Sequence, residues 1–386
     1  MPKEKRTRKK KRCAAFVPYA RGFHPPSQQR CLEAATTHRG EKLPQEYLDQ
    51  DGGGEIFFPH IPQPSSIDDW LAQYNEEGQT YSQFLYECPW LSRRKRKYMP
   101  TKFNAEGPTL IKRYSDSKIY LLPLGEFDSQ RGAPSFSELA DYASVFFSLP
   151  VVVLPPVKLT VDHSRREVLW VDSAPLREQL SNPIATRRSS RYPTTHIDAR
   201  FHKSGHYQLQ VGSVLLKLKQ CVPSDGFCLM ALTLSDLYDT ASDLFVAGMA
   251  AGNHRVGVFS LKRYDPSLTF APDNWYDITA GSVADTKVQR SVMLQRSCKL
   301  LVHEIAHILG VDHCIWYSCC MNGSGHLGED FEQSMHLCPV DLRKLQTLIG
   351  FDVLERYQKL KEFFVKHKLD TEKEWTDKRI AFLTKH

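Results

Sequence analysis

The sequence lacks any run of eighteen consecutive apolar residues, the length that a helix needs to cross a bilayer. Its densest apolar stretch, VVVLPPVKL after Pro150, is short and interrupted by prolines. No apolar segment follows the N-terminal charges either, so we expect no secretory signal peptide. These absences predict a protein without a membrane partner that lies in the cytoplasm, the nucleus or both.

A basic surface for nucleic acid is also missing from most of the chain. The first twelve residues, MPKEKRTRKKKR, carry eight basic side chains and one acidic one, whereas the other 374 carry 43 of each. The net charge of +7 is therefore the property of a tail, and such tails are usually solvated. We expect a monomer without a nucleic-acid partner; nuclear import or nucleic-acid contact by the tail is the alternative.

Composition divides the 386 residues near residue 105. Residues 1–105 are irregular and rich in Gly, Pro and Ser, as in QDGGGEIFFPHIPQPSSIDDW. We interpret them as a partly disordered N-terminal extension that carries the basic tail and a helix capped by Ser66. Residues 106–386 are expected to form one domain.

The start of that domain has the pattern of an α/β fold. KIYLLPL and PVVVLPP read as strands, and between them Ser135 and Glu138 form the capping box of a helix. A second helix is predicted for HYQLQVGSVLLKLKQCVP. From residue 339 to the end, apolar and charged residues alternate at helical spacing, which predicts C-terminal helices. The expected fold class is α/β (α+β).

A long helix precedes the densest group of metal-binding residue types. Its apolar side recurs at steps of three and four, at Leu294, Cys298, Leu301, Ile305 and Ile308. Gly310 is placed to end this helix as the residue past its cap.

His303 and His307 lie four residues apart near the end of this helix, so both imidazoles leave the same face. Glu304 projects beside them, where a general base is needed. After the turn at Gly310, His313 can supply a third ligand. Three neutral imidazoles leave one zinc position open, which favours a catalytic site over a structural one. The alternative, ordinary histidines on an amphipathic helix, does not account for this full spacing.

HEIAHILGVDH follows the HExxHxxGxxH pattern of the metzincin clan. Together with HCIWYSCCM and CPVD, the segment from Val302 to Asp341 resembles the archaemetzincin (archaelysin) family of zinc metallopeptidases. The resemblance implies a metzincin-like catalytic domain with a mixed sheet, an active-site helix and C-terminal helices. It also implies a catalytic Zn2+ bound by His303, His307 and His313, with Glu304 as the general base. Met321 would be the Met-turn residue, an apolar floor under the metal.

The function implied is zinc-dependent hydrolysis of peptide bonds, with short peptides as substrates and limited specificity. Aminopeptidase-type cleavage is left open. The rival hypothesis is a catalytically inactive, zinc-stabilised binding protein. Glu304 argues against that rival, because a purely structural zinc needs no base.

The same resemblance implies a second, structural zinc held by four thiolates. Cys314, Cys319 and Cys338 match three of the positions, and Asp341 stands at the fourth. A carboxylate can bind zinc, so Asp341 is the favoured fourth ligand and Cys320 is the alternative. A third alternative is a site without metal, in which the cysteines act as small buried apolar residues.

No tyrosine follows Met321 at the short spacing at which some metzincins stabilise the transition state. His326 is the nearest polar side chain that could do so. A surface histidine in a Gly-rich loop is the alternative.

Overall fold

A computed structural model describes most of the chain, and the basic tail lies outside the described residues. The predicted boundary at residue 105 lies outside them too. The described residues are 22–48, 57–96, 107–127, 132–180, 194–270, 274–280 and 286–385.

Helices predominate at both ends of the described chain, and strands lie mainly between them. In chain order the α-helices are α1 (Gln28–Ala34), α2 (Trp70–Gln73), α3 (Tyr81–Glu87), α4 (Arg93–Arg96), α5 (Leu110–Arg113), α6 (Phe136–Phe147), α7 (Ala174–Leu180), α8 (Val211–Leu218), α9 (Thr286–Ile308), α10 (Leu327–Glu332), α11 (Pro339–Ile349), α12 (Val353–His367) and α13 (Asp370–Thr384). The strands are β1 (Lys118–Leu124), β2 (Val151–Val153), β3 (Lys158–Asp162), β4 (Glu167–Val171), β5 (Thr194–Ile197), β6 (Ala199–Phe201), β7 (Tyr207–Gln210), β8 (Gly226–Thr233), β9 (Asp236–Tyr238), β10 (Gly248–Ala251), β11 (Val256–Ser260), β12 (Leu268–Phe270) and β13 (Ile278–Ala280). No described helix is both long enough and apolar enough to cross a membrane.

The central sheet has five strands in the order β10-β11-β8-β1-β2. Strand β1 is parallel to β2 and β8, β8 is parallel to β11, and β10 is antiparallel to β11. Every residue of β8 is buried, as expected for a parallel strand covered on both faces. The sheet is therefore mixed, and the predicted α/β (α+β) fold class is confirmed.

Alternate residues of the buried strands face two apolar cores. Ile119 and Leu121 of β1 belong to a core shared with α6, α9 and the C-terminal helices. Tyr120 and Leu122 belong to a second core, which contains the apolar side of α8. Because successive side chains of a strand point to opposite faces, the central sheet separates helix α9 from α8.

Helix α6 has the predicted capping box at Ser135 and Glu138. Two other helix predictions were wrong in their extent. The helix expected from His206 begins only at α8, because residues Tyr207–Gln210 pair with β6 and β9 and Gln210 caps the helix. The helix expected after Ser66 is divided into α2 and α3, and Thr80 forms the capping box of α3.

Residues 57–92 pack against the end of α9. The Trp90 indole donates to the carbonyl oxygen of Ile308 (3.0 Å), and the Cys88 thiol donates to that of Leu309 (3.3 Å). Both side chains are buried in the core that contains α9. The N-terminal part of the chain thus supports the segment that carries the histidines.

Candidate active site and metal centres

His303 and His307 meet at the end of α9. Their Nε2 atoms lie 2.9 Å apart. The Nδ1 of His303 donates to the carbonyl oxygen of Cys320 (2.8 Å), and the Nδ1 of His307 donates to that of Val311 (2.6 Å). Because Nδ1 carries the proton in each ring, each Nε2 has a lone pair for a metal.

Helix α9 ends in a Schellman turn that brings His313 back to the other two histidines. Gly310 has φ +95°, its N–H donates to the His307 carbonyl, and the Val311 N–H donates to the Ala306 carbonyl (3.0 Å each). A side chain at Gly310 would also meet the Cys88 sulfur at 3.0 Å. The structure thus brings the three histidines together, with one ring nitrogen of each within 4.8 Å of the others.

The environment of these rings suits a metal cation. Burial, and to a lesser extent the nearby His313, lower the pKa of His303 to about 4. Burial and the two other imidazoles lower the pKa of His307 well below its ordinary value. Both rings are therefore neutral near pH 7. Since zinc needs neutral imidazoles, the donor set fits this ion.

Glu304 is half-buried and lines, with His303, a small cavity of about 130 Å3. Burial, with a smaller contribution from the negative charge of Asp330, raises the pKa of this carboxyl to about 8. The cavity is lined by Ala247, Tyr264, Leu300, His303, Glu304, His313, Ser324, Asp330 and Gln333. A carboxyl with a raised pKa is suited to accept a proton and return it.

Tyr264 and Asp330 also line the cavity, and no pattern in the sequence points to either residue. The Tyr264 hydroxyl donates to Asp330, and both side chains are buried. Burial, with Asp330 adding to it, raises the pKa of this tyrosine well above its ordinary value. Tyr264 follows β11 in the segment LKRYDP, which no local spacing connects to helix α9.

The structure places His326 away from this cavity. Its Nδ1 accepts from the N–H of Glu329 at the start of α10, and its Nε2 lies 3.1 Å from the Asp69 carboxylate. The described geometry gives His326 a helix-capping role, while its role in transition-state stabilisation is an untested prediction.

Met321 lies at the end of a closed loop. Its side chain is buried, and its carbonyl oxygen accepts from the N–H of Cys314 (2.7 Å). The loop from His313 to Met321 therefore connects the histidine cluster to the cysteine cluster.

The second predicted group converges as well. Cys314, Cys319, Cys338 and Asp341 are buried, and their ligand atoms lie within 4.8 Å of one another. The sulfurs of Cys314 and Cys338 are 3.6 Å apart, and Oδ2 of Asp341 lies 3.3 Å from the Cys319 sulfur. Three sulfurs and one oxygen at this spacing are a donor set that fits zinc.

The side chains around this cluster distinguish the two proposed fourth ligands. Oδ1 of Asp341 is paired with the fully buried Lys344 (2.8 Å), which leaves Oδ2 for the sulfurs. Burial raises the pKa of Asp341 to about 6. The Cys320 thiol lies outside the converging group, and burial raises its pKa to about 12. The geometry therefore favours Asp341 over Cys320.

Comparison with known proteins identifies relatives along most of the chain. This chain is 30% identical over 363 residues to Archaemetzincin-2 of Rattus norvegicus, and the match covers 85% of this chain and 84% of that protein. Archaemetzincin-2 of Homo sapiens is 35% identical over 218 residues (51% and 56%), and Archaemetzincin-1 of Homo sapiens is 34% identical over 261 residues (64% and 46%). No family model matches the chain.

Two solved structures are also similar. Archaemetzincin from Methanopyrus kandleri has a TM-score of 0.36 at 20% identity, covering 61% of this chain and 96% of that one. A zinc-dependent peptidase from Methanocorpusculum labreanum has a TM-score of 0.35 at 19% identity, covering 59% and 99%.

Proposed function

Because this chain belongs to the archaemetzincin family of zinc metallopeptidases, we propose that His303, His307 and His313 hold its catalytic zinc and that Glu304 is its general base. One observation carries this proposal. His303 and His307 each donate from Nδ1 to a backbone carbonyl, their Nε2 atoms lie 2.9 Å apart, and Glu304 lines the cavity beside His303.

When bound, zinc supplies Lewis-acid chemistry, which polarises the scissile carbonyl and favours attack by water near neutral pH. A carboxylate oxygen of Glu304 accepts a proton from the attacking water as its oxygen bonds to the carbonyl carbon. The same carboxyl then gives that proton to the amide nitrogen as the C–N bond breaks, so Glu304 ends the cycle as it began.

Glu304→Gln tests this role because it removes the base without altering the three proposed ligands. We expect the variant to keep its zinc and to cleave a peptide library roughly 100- to 10,000-fold more slowly. Glu332→Gln on the exposed side of α10 is the control and should keep full activity. If wild type and Glu304→Gln are equally inert while both hold zinc, the protein is instead a zinc-stabilised binding protein.

For substrates we propose short peptides, cleaved with limited specificity and in the manner of an aminopeptidase. A cleft of about 400 Å3 beside His307 and His313 supports aminopeptidase-type cleavage. Among the described residues that line this cleft, none is Lys or Arg. Four of them are acidic: Glu76, Glu77, Glu87 and Asp312. Such a wall favours a positively charged peptide N-terminus.

Matched peptides with a free or an acetylated N-terminus test this substrate preference. An aminopeptidase should release the first residue of the free peptide and leave the acetylated one intact. Equal cleavage of both peptides at internal bonds would show that the enzyme is an endopeptidase.

We further propose a second, structural zinc bound by Cys314, Cys319, Cys338 and Asp341. The convergence of their ligand atoms and the exclusion of the Cys320 thiol support this ligand set.

The proposed location is the cytoplasm, the nucleus or both, where thiol ligands stay reduced.

A further inference from the structure

All three proposed zinc ligands have an oxygen acceptor beside Nδ1, but the third acceptor is of a different kind. His303 and His307 use backbone carbonyls. His313 instead faces a side chain, and its Nδ1 lies 3.5 Å from Oε1 of Glu76. Glu76 comes from the N-terminal part of the chain, 237 residues away in sequence.

The segment that follows Glu76 is held against the turn that carries His313. The Gln79 amide donates to the Gly310 carbonyl (3.2 Å) and to the Asp312 carboxylate (3.0 Å). In return, the Asp312 N–H donates to the Gln79 amide oxygen (3.3 Å). Gln79 is buried, so these bonds are protected from water.

Two further features fix the position of this segment beside His313. Gly78 has φ +70°, and a Cβ there would lie 2.5 Å from a side-chain carbon of Ile315. Before Glu76 in the chain, the Trp70 ring makes a T-shaped contact with the His313 ring, with centroids 5.2 Å apart. The segment 70–79 therefore contacts His313 and its turn, and this holds Glu76 next to the ring.

We propose that Glu76 is a positioning residue for His313, so that the N-terminal part of the chain completes the catalytic metal centre. Its carboxylate accepts the Nδ1 proton, which selects the tautomer whose Nε2 is free to bind metal, and it restricts rotation of the ring. The inference rests on the proposed function, because it matters only if His313 is a ligand. A carboxylate behind a ligating imidazole also makes that imidazole a stronger donor.

The alternative is that Glu76 and His313 form an ordinary surface ion pair. The side chains of His313 and Glu76 are 33% and 34% exposed, and surface ion pairs of this kind contribute little to stability. In that case removal of Glu76 would leave zinc binding unchanged. The two explanations therefore differ in zinc affinity.

The test is zinc affinity of the full chain, measured by competition with a chromophoric chelator. Co2+ titration then separates the two sites, because thiolate ligation gives charge-transfer absorption and three imidazoles do not. Glu76→Ala should weaken binding at the histidine site roughly 10-fold, within the range found for removal of such partners. Glu76→Gln should lose less zinc affinity than Glu76→Ala, since its amide oxygen still accepts a hydrogen bond.

Glu77→Gln is the matched control, because it removes a charge from the exposed neighbouring residue. It should bind zinc like wild type, and all variants should share one melting temperature in the metal-free state. The inference would be overturned if the zinc affinity of Glu76→Ala were within about twofold of wild type. An equal loss of zinc affinity in Glu77→Gln would overturn it too. His313→Ala separates it from the proposed function: if that variant also keeps its zinc, the ligand set itself fails.

Discussion

His303 donates from Nδ1 to the carbonyl oxygen of Cys320 over 2.8 Å, so a proposed ligand of the catalytic zinc is oriented by the peptide next to the second cluster. The preceding residue, Cys319, lies 3.3 Å from Asp341 within that cluster. An ion that fixes Cys319 would therefore also fix the acceptor of His303. We expect the two metal centres to be coupled through this peptide.

Asp341→Ala is predicted to release one of two zinc ions and to destabilise the fold. The ion's binding free energy is lost from folding. In addition, the buried Lys344 loses its partner, and breaking a buried ion pair costs about 3–5 kcal/mol. Metal analysis and denaturant unfolding measure both effects, and zinc affinity at the histidine site should also fall.

Cys320→Ser is the control for this prediction. Its side chain is buried but lies outside the converging ligand atoms, and the substitution keeps the peptide carbonyl that accepts from His303. The variant should keep both ions. One zinc in wild type, with none lost in Asp341→Ala, would contradict a second site; loss of one ion in Cys320→Ser would assign the ligand to Cys320.

Tyr264→Phe should destabilise the protein without removing zinc. The substitution leaves the buried Asp330 carboxyl without its hydroxyl donor, which costs about 1–3 kcal/mol of unfolding free energy. Tyr207→Phe, which removes a hydroxyl that contacts Ser235 at a partly buried site, should cost less. Equal losses in the two variants would show that the Tyr264–Asp330 contact has no special weight.

Local patterns were sufficient for some elements and not for others. The capping box of α6 and the periodicity of α9 are properties of neighbouring residues, so the sequence predicts both helices. Strand β7 is different. Tyr207–Gln210 becomes a strand through pairing with β6 and β9, and a pattern within the segment does not contain those partners.

The same division holds for the site. His303 and His307 follow from helical spacing, since residues four apart share a face. Tyr264 and Glu76 reach the site from distant segments, and only the packed structure brings them there. Asp341 could be chosen from the sequence because it occupies a position where the resemblance implies a ligand. Its partner Lys344 shows how the buried carboxylate is compensated.

Glu41→Gln is predicted to destabilise the protein at neutral pH and not in strong acid. Glu41 pairs with Arg343 on α11 (2.6 Å) and accepts from Thr37. The hydrogen bond from Arg343, followed by those from Thr37, lowers the pKa of this carboxyl to about 2. A lowered folded-state pKa gives stability above the unfolded value of 4.5, and that stability is lost as the pH falls towards 2.

Denaturant unfolding of wild type and Glu41→Gln at several pH values measures this effect. The two proteins should differ by about 1 kcal/mol at pH 7, a difference that shrinks below pH 4.5. Glu33→Gln, which removes an equal charge from an exposed position on α1, should show no such dependence. A constant difference between wild type and Glu41→Gln at all pH values would assign the effect to packing.

His313→Ala should lower zinc affinity far more than Met321→Leu, although the two residues lie in one loop. His313 supplies a ring nitrogen within 4.8 Å of the other two, so its removal leaves a two-histidine site. Met321 is buried, and leucine keeps its apolar character and nearly its volume, so the substitution costs less than about 1.5 kcal/mol of stability. Dialysis against a chelator, followed by metal analysis, compares the two variants. If both keep the same amount of zinc, His313 is not a ligand; if Met321→Leu loses as much zinc as His313→Ala, the methionine contributes to the site beyond filling space.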